Sequence, residues 1–146
     1  MAQVQRRRGR IQLKLDALER AALTSTVDRL EPHTREETQR AYDEAELQGE
    51  YDRWVAPELQ SERDADIAVV RQGLDAGEDT LPLTEAQALA WLRAFNHLRL
   101  AAGRILGVEA DGWEERADAT TRATPEFGIL LALAYLQEEL VAALES

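Results

Sequence analysis

Ionisable side chains are plentiful in this sequence, so the question is whether any of them stand in a pattern that chemistry requires. His33 and His97 are its two histidines, and neither has a second histidine three or four residues away, the spacing that puts two imidazole donors on one helix face. Cysteine is absent, which removes thiol nucleophiles, disulfides and cysteine-based zinc sites. Ser25, Ser61 and Ser146 have no base nearby in sequence, and there is no phosphate-cradling glycine loop, no G-x-S-x-G elbow and no H-E-x-x-H pair. The adjacent acids Asp64 and Asp66, Glu114 and Glu115, and Glu138 and Glu139 read as solvated faces, because a general acid is marked by an unusual environment and not by its presence. Asp16 with Arg20, Glu31 with Arg35, Glu36 with Arg40 and Asp118 with Arg122 have the spacing of helix-supporting ion pairs. The expectation is a protein that is not an enzyme, with no catalytic residue, no cofactor and no metal.

Residues suited to binding are easier to name. Arg6, Arg7, Arg8 and Arg10 concentrate positive charge in residues 1–9 and just beyond, a segment that reads as a flexible basic arm. Such an arm can follow phosphates, although no aromatic residue interleaves its arginines. Asn96 and Arg99 lie one helical turn apart beside an apolar stripe, where they either tie helices together at the core rim or form a binding surface. Backbone carbonyls or acids of neighbouring elements, such as Glu138 or Glu139, are their expected partners. Of the tryptophans, Trp91 reads as core and Trp113 as an interface anchor in a polar stretch, while Trp54 fits either role.

The 146 residues suit one domain, and 45% apolar with 31% charged residues is a globular composition. A net charge of −11 disfavours nucleic acid and anionic membrane as primary partners, since both repel an acidic surface. The Arg-rich start is not followed by an apolar run of the leader type, which makes the cytoplasm the expected compartment. The most apolar run, 128–136, is shorter than the ~20 residues of a membrane span and reads as core helix.

Those candidates need helices to hold them. Ile11, Leu13 and Leu15 alternate with Gln12 and Lys14, the period of a half-buried strand. Asp16 with Glu19 makes a capping box ahead of a helix with Leu18, Ala22, Leu23, Val27 and Leu30, ended by Pro32. Thr34 with Glu37 makes a second box, and Pro57 opens a helix whose stripe is Ile67, Val69, Val70 and Leu74 before Gly73 and Gly77 loosen it. Residues 76–83 read as a loop. Thr84 with Gln87 caps a long helix carrying Ala88, Trp91, Leu92, Phe95, Leu98, Ala102 and Ile105, closed by Gly107. Residues 111–123 read as a loop, and Thr124-Pro125 opens a final, nearly buried helix with Phe127, Leu130, Leu131, Ala134, Leu136 and Leu140. About five helices with at most one short N-terminal strand pair give an all-α single domain over 1–146, a helical bundle.

The segment LTEAQALAWLRAFNHLRLAAGRILGV, Leu83 to Val108, resembles the DUF2017 family of uncharacterised actinobacterial proteins, as does AYLQEELV, Ala134 to Val141. Its Trp-Leu-x-x-Asn-x-x-Arg helix corresponds here to Trp91, Leu92, Asn96 and Arg99, with one further spacer residue. The family's Gly-x-Arg-Leu-Gly-like ending reads Gly103, Arg104, Ile105, Leu106, Gly107, with the arginine shifted by one position. The resemblance implies no catalytic activity. It implies a link to Clp-dependent regulated proteolysis, because such genes lie beside the adaptor that delivers substrates to that protease. The leading expectation is therefore a non-enzymatic helical interaction module with a protein partner, a Clp component among the candidates, and a homodimer compatible with it. The alternative is a transcriptional regulator that binds DNA through Arg6, Arg7, Arg8 and Arg10.

Overall fold

In the computed structural model, which describes residues 2–38, 45–106 and 124–146, the chain begins with a hairpin. Strand β1 (Gln3–Arg7) pairs antiparallel with β2 (Arg10–Lys14), with Arg7 opposite Arg10. The two-residue connection needs left-handed backbone at both positions, as in a type I′ turn, and Arg8 and Gly9 supply φ of 52° and 77°. The arm expected to be flexible is thus a paired strand. Alternation then sorts the side chains: Ile11 and Leu13 enter the core, while Gln12 and Lys14 share the opposite face.

Helix α1 (Ala17–Leu30) starts at the expected box, with Glu19 N–H donating to Asp16 Oδ1 at 2.8 Å and Asp16 N–H to Glu19 Oε1 at 3.1 Å. It buries Leu23, Val27 and Leu30, whereas Leu18 points to solvent. Pro32 ends the α-helical ladder, and the chain tightens into a 3₁₀ helix (Glu31–Thr38). Thr34 is therefore no cap: it is fully buried, and its hydroxyl donates back to the Glu31 carbonyl at 2.7 Å. Short α2 (Ala45–Glu50) contains Gly49 and runs into a π turn (Tyr51–Val55). Helix α3 (Ala56–Asp75) has Pro57 in its first turn, where the missing N–H costs nothing.

The stretch expected as a loop contains a strand, β3 (Thr80–Leu83), which pairs antiparallel with β2 to give the sheet order β1-β2-β3. Leu83 reaches the core from it, which a loop could not ensure. Helix α4 (Glu85–Leu106) opens on the Thr84–Gln87 box, whose reciprocal bonds are 2.9 and 3.1 Å. It is the central element. Trp91, Phe95 and Leu98 are fully buried with Ala88, Ala94, Ala101 and Ala102, and the small residues let neighbouring elements approach closely. Trp91 and Phe95 meet edge-to-face at 5.7 Å and 84°.

Gly73 tightens this core instead of loosening it, since a Cβ there would lie 2.7 Å from Trp91 Cζ2 and 2.8 Å from Leu81 Cδ2. Helix α5 (Pro125–Glu145) packs Leu130, Leu133, Leu136 and Leu140 inward against α4 and β1. The domain is mostly helical, with four long helices, α1, α3, α4 and α5, and a small antiparallel sheet.

Candidate interaction surfaces

The polar residues of α4 serve different ends. Arg99 is half-buried and donates to Gln137 Oε1 on α5, in place of the expected Glu138 or Glu139. Gln137 in turn donates to the Leu92 carbonyl at 3.4 Å. Arg99 is thus part of a polar tie between the two most heavily packed helices. Asn96 is not at the core rim; it is exposed, on the face of α4 that also presents Leu89 and Leu100. Arg104 ties α4 to the 3₁₀ helix by donating to the His33 carbonyl. Trp113 lies outside the described residues. Trp54 is exposed, with the Arg53 guanidinium 5.0 Å from the centre of its ring.

The N-terminal arginines divide by strand alternation. Arg6 is on the core face of β1, and its Nε and Nη2 donate to the carbonyls of Ala143 at 3.3 Å and Leu144 at 3.1 Å. These are among the last carbonyls of α5, which have no partner within the helix, and the helix dipole favours a cation there. Tyr135 Oη donates to the Ala2 carbonyl at 3.4 Å. Arg7, Arg8 and Arg10 remain exposed at the hairpin tip.

Of the acids, Asp64 is solvated, but Asp66 is not. Asp66 is 8% exposed and accepts a two-pronged bond from Arg93, Nε to Oδ2 and Nη2 to Oδ1, each 3.0 Å. That carboxylate holds the Arg93 guanidinium above its ordinary pKa. His97 Nε2 stands 4.0 Å from Asp66 Oδ2, and the group lines an open cleft of roughly 520 Å³ between α3 and α4 with Leu59, Glu62 and Arg63. Both Asp66 oxygens accept from Arg93, so the carboxylate is committed to a structural pair between α3 and α4. Glu126, buried in the first turn of α5, accepts from Arg29 of α1, which lowers its pKa, with its own backbone N–H assisting. Arg71 joins α3 to Asp28 and Glu31 at 2.7 and 3.2 Å. Arg20 reaches Asp79 at 2.6 Å and not the expected Asp16. Among the described residues no three His, Asp or Glu side chains gather in the manner of a metal site.

The main departure from expectation is α5. Its sequence is apolar nearly all round, which predicts burial. Only 33% of its most apolar 18-residue stretch is buried, although the helix is long and apolar enough to cross a membrane by length and composition. Its inner side is committed to α4 and β1, and Glu126 is fixed by Arg29. The outer side presents Leu131 at 41%, Tyr135 at 37% and Val141 at 38% exposure, together with Gly128, Ala132 and Ala142. Apolar all-round periodicity is the signal that could have marked this face, but it does not say which side lacks a neighbour.

A model of the family described as "Domain of unknown function (DUF2017)" matches residues 32–144. A protein of Mycobacterium leprae (strain TN), named "Putative oxidative stress regulator AosR", is 40% identical over 84 residues, which is 56% of this chain. The match covers 38% of the length of that relative. No solved structure matches significantly.

Proposed function

The chain belongs to the DUF2017 family, and on that premise we propose that it is a regulatory protein-interaction module without catalysis of its own. The outer side of α5 supports the reading. Leaving aliphatic side chains in water forgoes about 25 cal/mol for each Å² that a partner would cover, and exposed apolar side chains grouped on one helix side, here bordered by Glu138 and Glu139, suit an interaction site. The regulator named as a relative fits this reading, and so does the link to Clp that the family resemblance implies. The buried acids of the described residues fit it too, because Asp66 and Glu126 are neutralised by arginines and not held in apolar pockets.

The sequence holds one lysine, Lys14, so amine crosslinkers have little to react with. A photoreactive benzoylphenylalanine in place of the exposed Ala132, irradiated in an actinobacterial lysate and read by mass spectrometry, tests the face directly. Crosslinks to a Clp component would support the proteolysis link, and crosslinks to a second copy would make the face a dimer interface. Leu131→Glu should abolish either product while leaving the melting temperature within about 2 °C, as an exposed substitution does. Products that are unchanged by Leu131→Glu would refute the role given to α5.

A further inference from the structure

The outer face of the sheet differs in composition from the rest of this acidic chain. The register pairs Gln3 with Lys14, Gln5 with Gln12 and Arg7 with Arg10 on that face, and β3 adds Thr80 and Pro82. It carries no acid and no aliphatic side chain apart from proline, in a chain with 28 acidic residues. Asp16, Glu78 and Asp79 flank only its Lys14–Thr80 end, and Asp79 is held by Arg20. Strand β3 pairs with β2 only as far as Ile11, so the Arg7–Arg10 pair and the Arg8–Gly9 turn project beyond the third strand.

A second observation is the backbone at Arg8. Left-handed φ costs a non-glycine residue on the order of 1–3 kcal/mol, and Asn-Gly is the favoured pair for this turn. Here the first position is Arg8 at φ 52°. The turn thus places a cation at the tip in spite of its backbone cost.

We propose that the outer face of the β1–β2 hairpin, with Arg8 at its tip, docks on duplex DNA. The projecting Arg7–Arg10 end is two strands wide, a width that the major groove, about 12 Å across, admits. Successive same-face pairs are two residues apart, about 6.8 Å, which matches two base-pair steps of about 3.4 Å. Arginine and lysine suit phosphates and guanine edges, and glutamine suits adenine edges. Glu145 follows the Leu144 carbonyl that Arg6 holds, so one acid stands near the base of the tip, against the three cations Arg7, Arg8 and Arg10.

Fluorescence anisotropy with a 30-base-pair duplex tests this on the full chain. With three to four phosphates neutralised, affinity should fall about 6- to 12-fold between 0.1 and 0.2 M salt. The double variant Arg8→Asn, Arg10→Ala should reduce that fall to about 2- to 4-fold and weaken binding at both salts. The same variant should melt at or above the parent, because Asn relieves the turn; a merely structural role predicts the reverse. Absence of binding at 0.1 M salt, equal or tighter binding of the single strand, preference for an acidic peptide over the duplex, or unchanged binding by the variant would each overturn the proposal. The α5 face is untouched by this variant, so the two readings fail separately.

Discussion

One methyl group at position 73 should test how closely α3 approaches the centre of the core. In Gly73→Ala the new Cβ lies 2.7 Å from Trp91 Cζ2 and 2.8 Å from Leu81 Cδ2, against an ordinary carbon contact of about 3.5 Å or more. Leu81 is half-buried and can turn aside, but Trp91 is fully buried and wedged on Phe95, so the helices must part by several tenths of an ångström. Overpacking of this kind costs about 1–3 kcal/mol. Alanine also gains about 1 kcal/mol over glycine in a helix, leaving a net loss of about 1 kcal/mol, or about 3 °C in melting temperature at this chain length. Gly128→Ala is the control, since a Cβ there meets nothing within 4 Å. It should gain the propensity term alone and melt about 3 °C higher. Differential scanning calorimetry of both variants decides the matter, and a Gly73→Ala protein that melts as high as Gly128→Ala would show that the close approach is not real.

Removing Arg93 should cost more than removing Asp66, because Arg93→Ala strands a carboxylate with an 11% exposed side chain, whereas Asp66→Ala leaves a guanidinium 56% exposed to water. Urea titration should give about 3–5 kcal/mol for the first and about 1–3 kcal/mol for the second. Glu126 has a lowered folded pKa, so its contribution to stability is present in full above its unfolded pKa and is lost as pH falls through the folded value. The melting advantage of the parent over Glu126→Gln should accordingly be largest near pH 7 and vanish in strong acid, and an advantage independent of pH would contradict the Arg29 pairing. Arg99→Ala should cost only about 0.5–1.5 kcal/mol, since its partner is a neutral glutamine that a neighbouring carbonyl and water can satisfy. Arg6→Ala should destabilise by about 1 kcal/mol and preserve the salt dependence of DNA binding, whereas Arg10→Ala should leave stability unchanged and lower the salt slope by about one.

Signals confined to a few neighbouring residues were legible in the sequence. The Asp16–Glu19 and Thr84–Gln87 boxes are contacts across three residues, and both form as their spacing dictates. The stripe of α4 was legible because period and burial agree along it, except that Ile105 is exposed. What escaped depends on partners distant in the chain. Thr80–Leu83 has four residues and a proline, too little to distinguish a strand from a loop until β2 lies beside it. Asp66 looks like Asp64 in sequence, and only Arg93, 27 residues away, gives it a buried partner. Arg6 looks like Arg7 and Arg8, and only the hairpin register places it on the core side, where α5 needs a cap. Glycine 73 was misread for the same reason, since its use is set by a tryptophan from another helix.

The two proposed surfaces meet along β1. Its core face holds α5 at two points, Tyr135 to Ala2 and Arg6 to Ala143 and Leu144, while its outer face carries Gln3, Gln5 and Arg7. From Ala2 to Arg6 the strand advances about 13 Å, and from Tyr135 to Ala143 the helix advances about 12 Å. Strand and helix therefore run in the same direction and stay in register over both anchors, so neither has to bend to keep them. On this reading a protein seated on Leu131 and Tyr135 would be held beside whatever the hairpin binds, with one strand separating the two. The same ladder separates the arginines: Arg6 ends the helix, and Arg7, Arg8 and Arg10 face solvent.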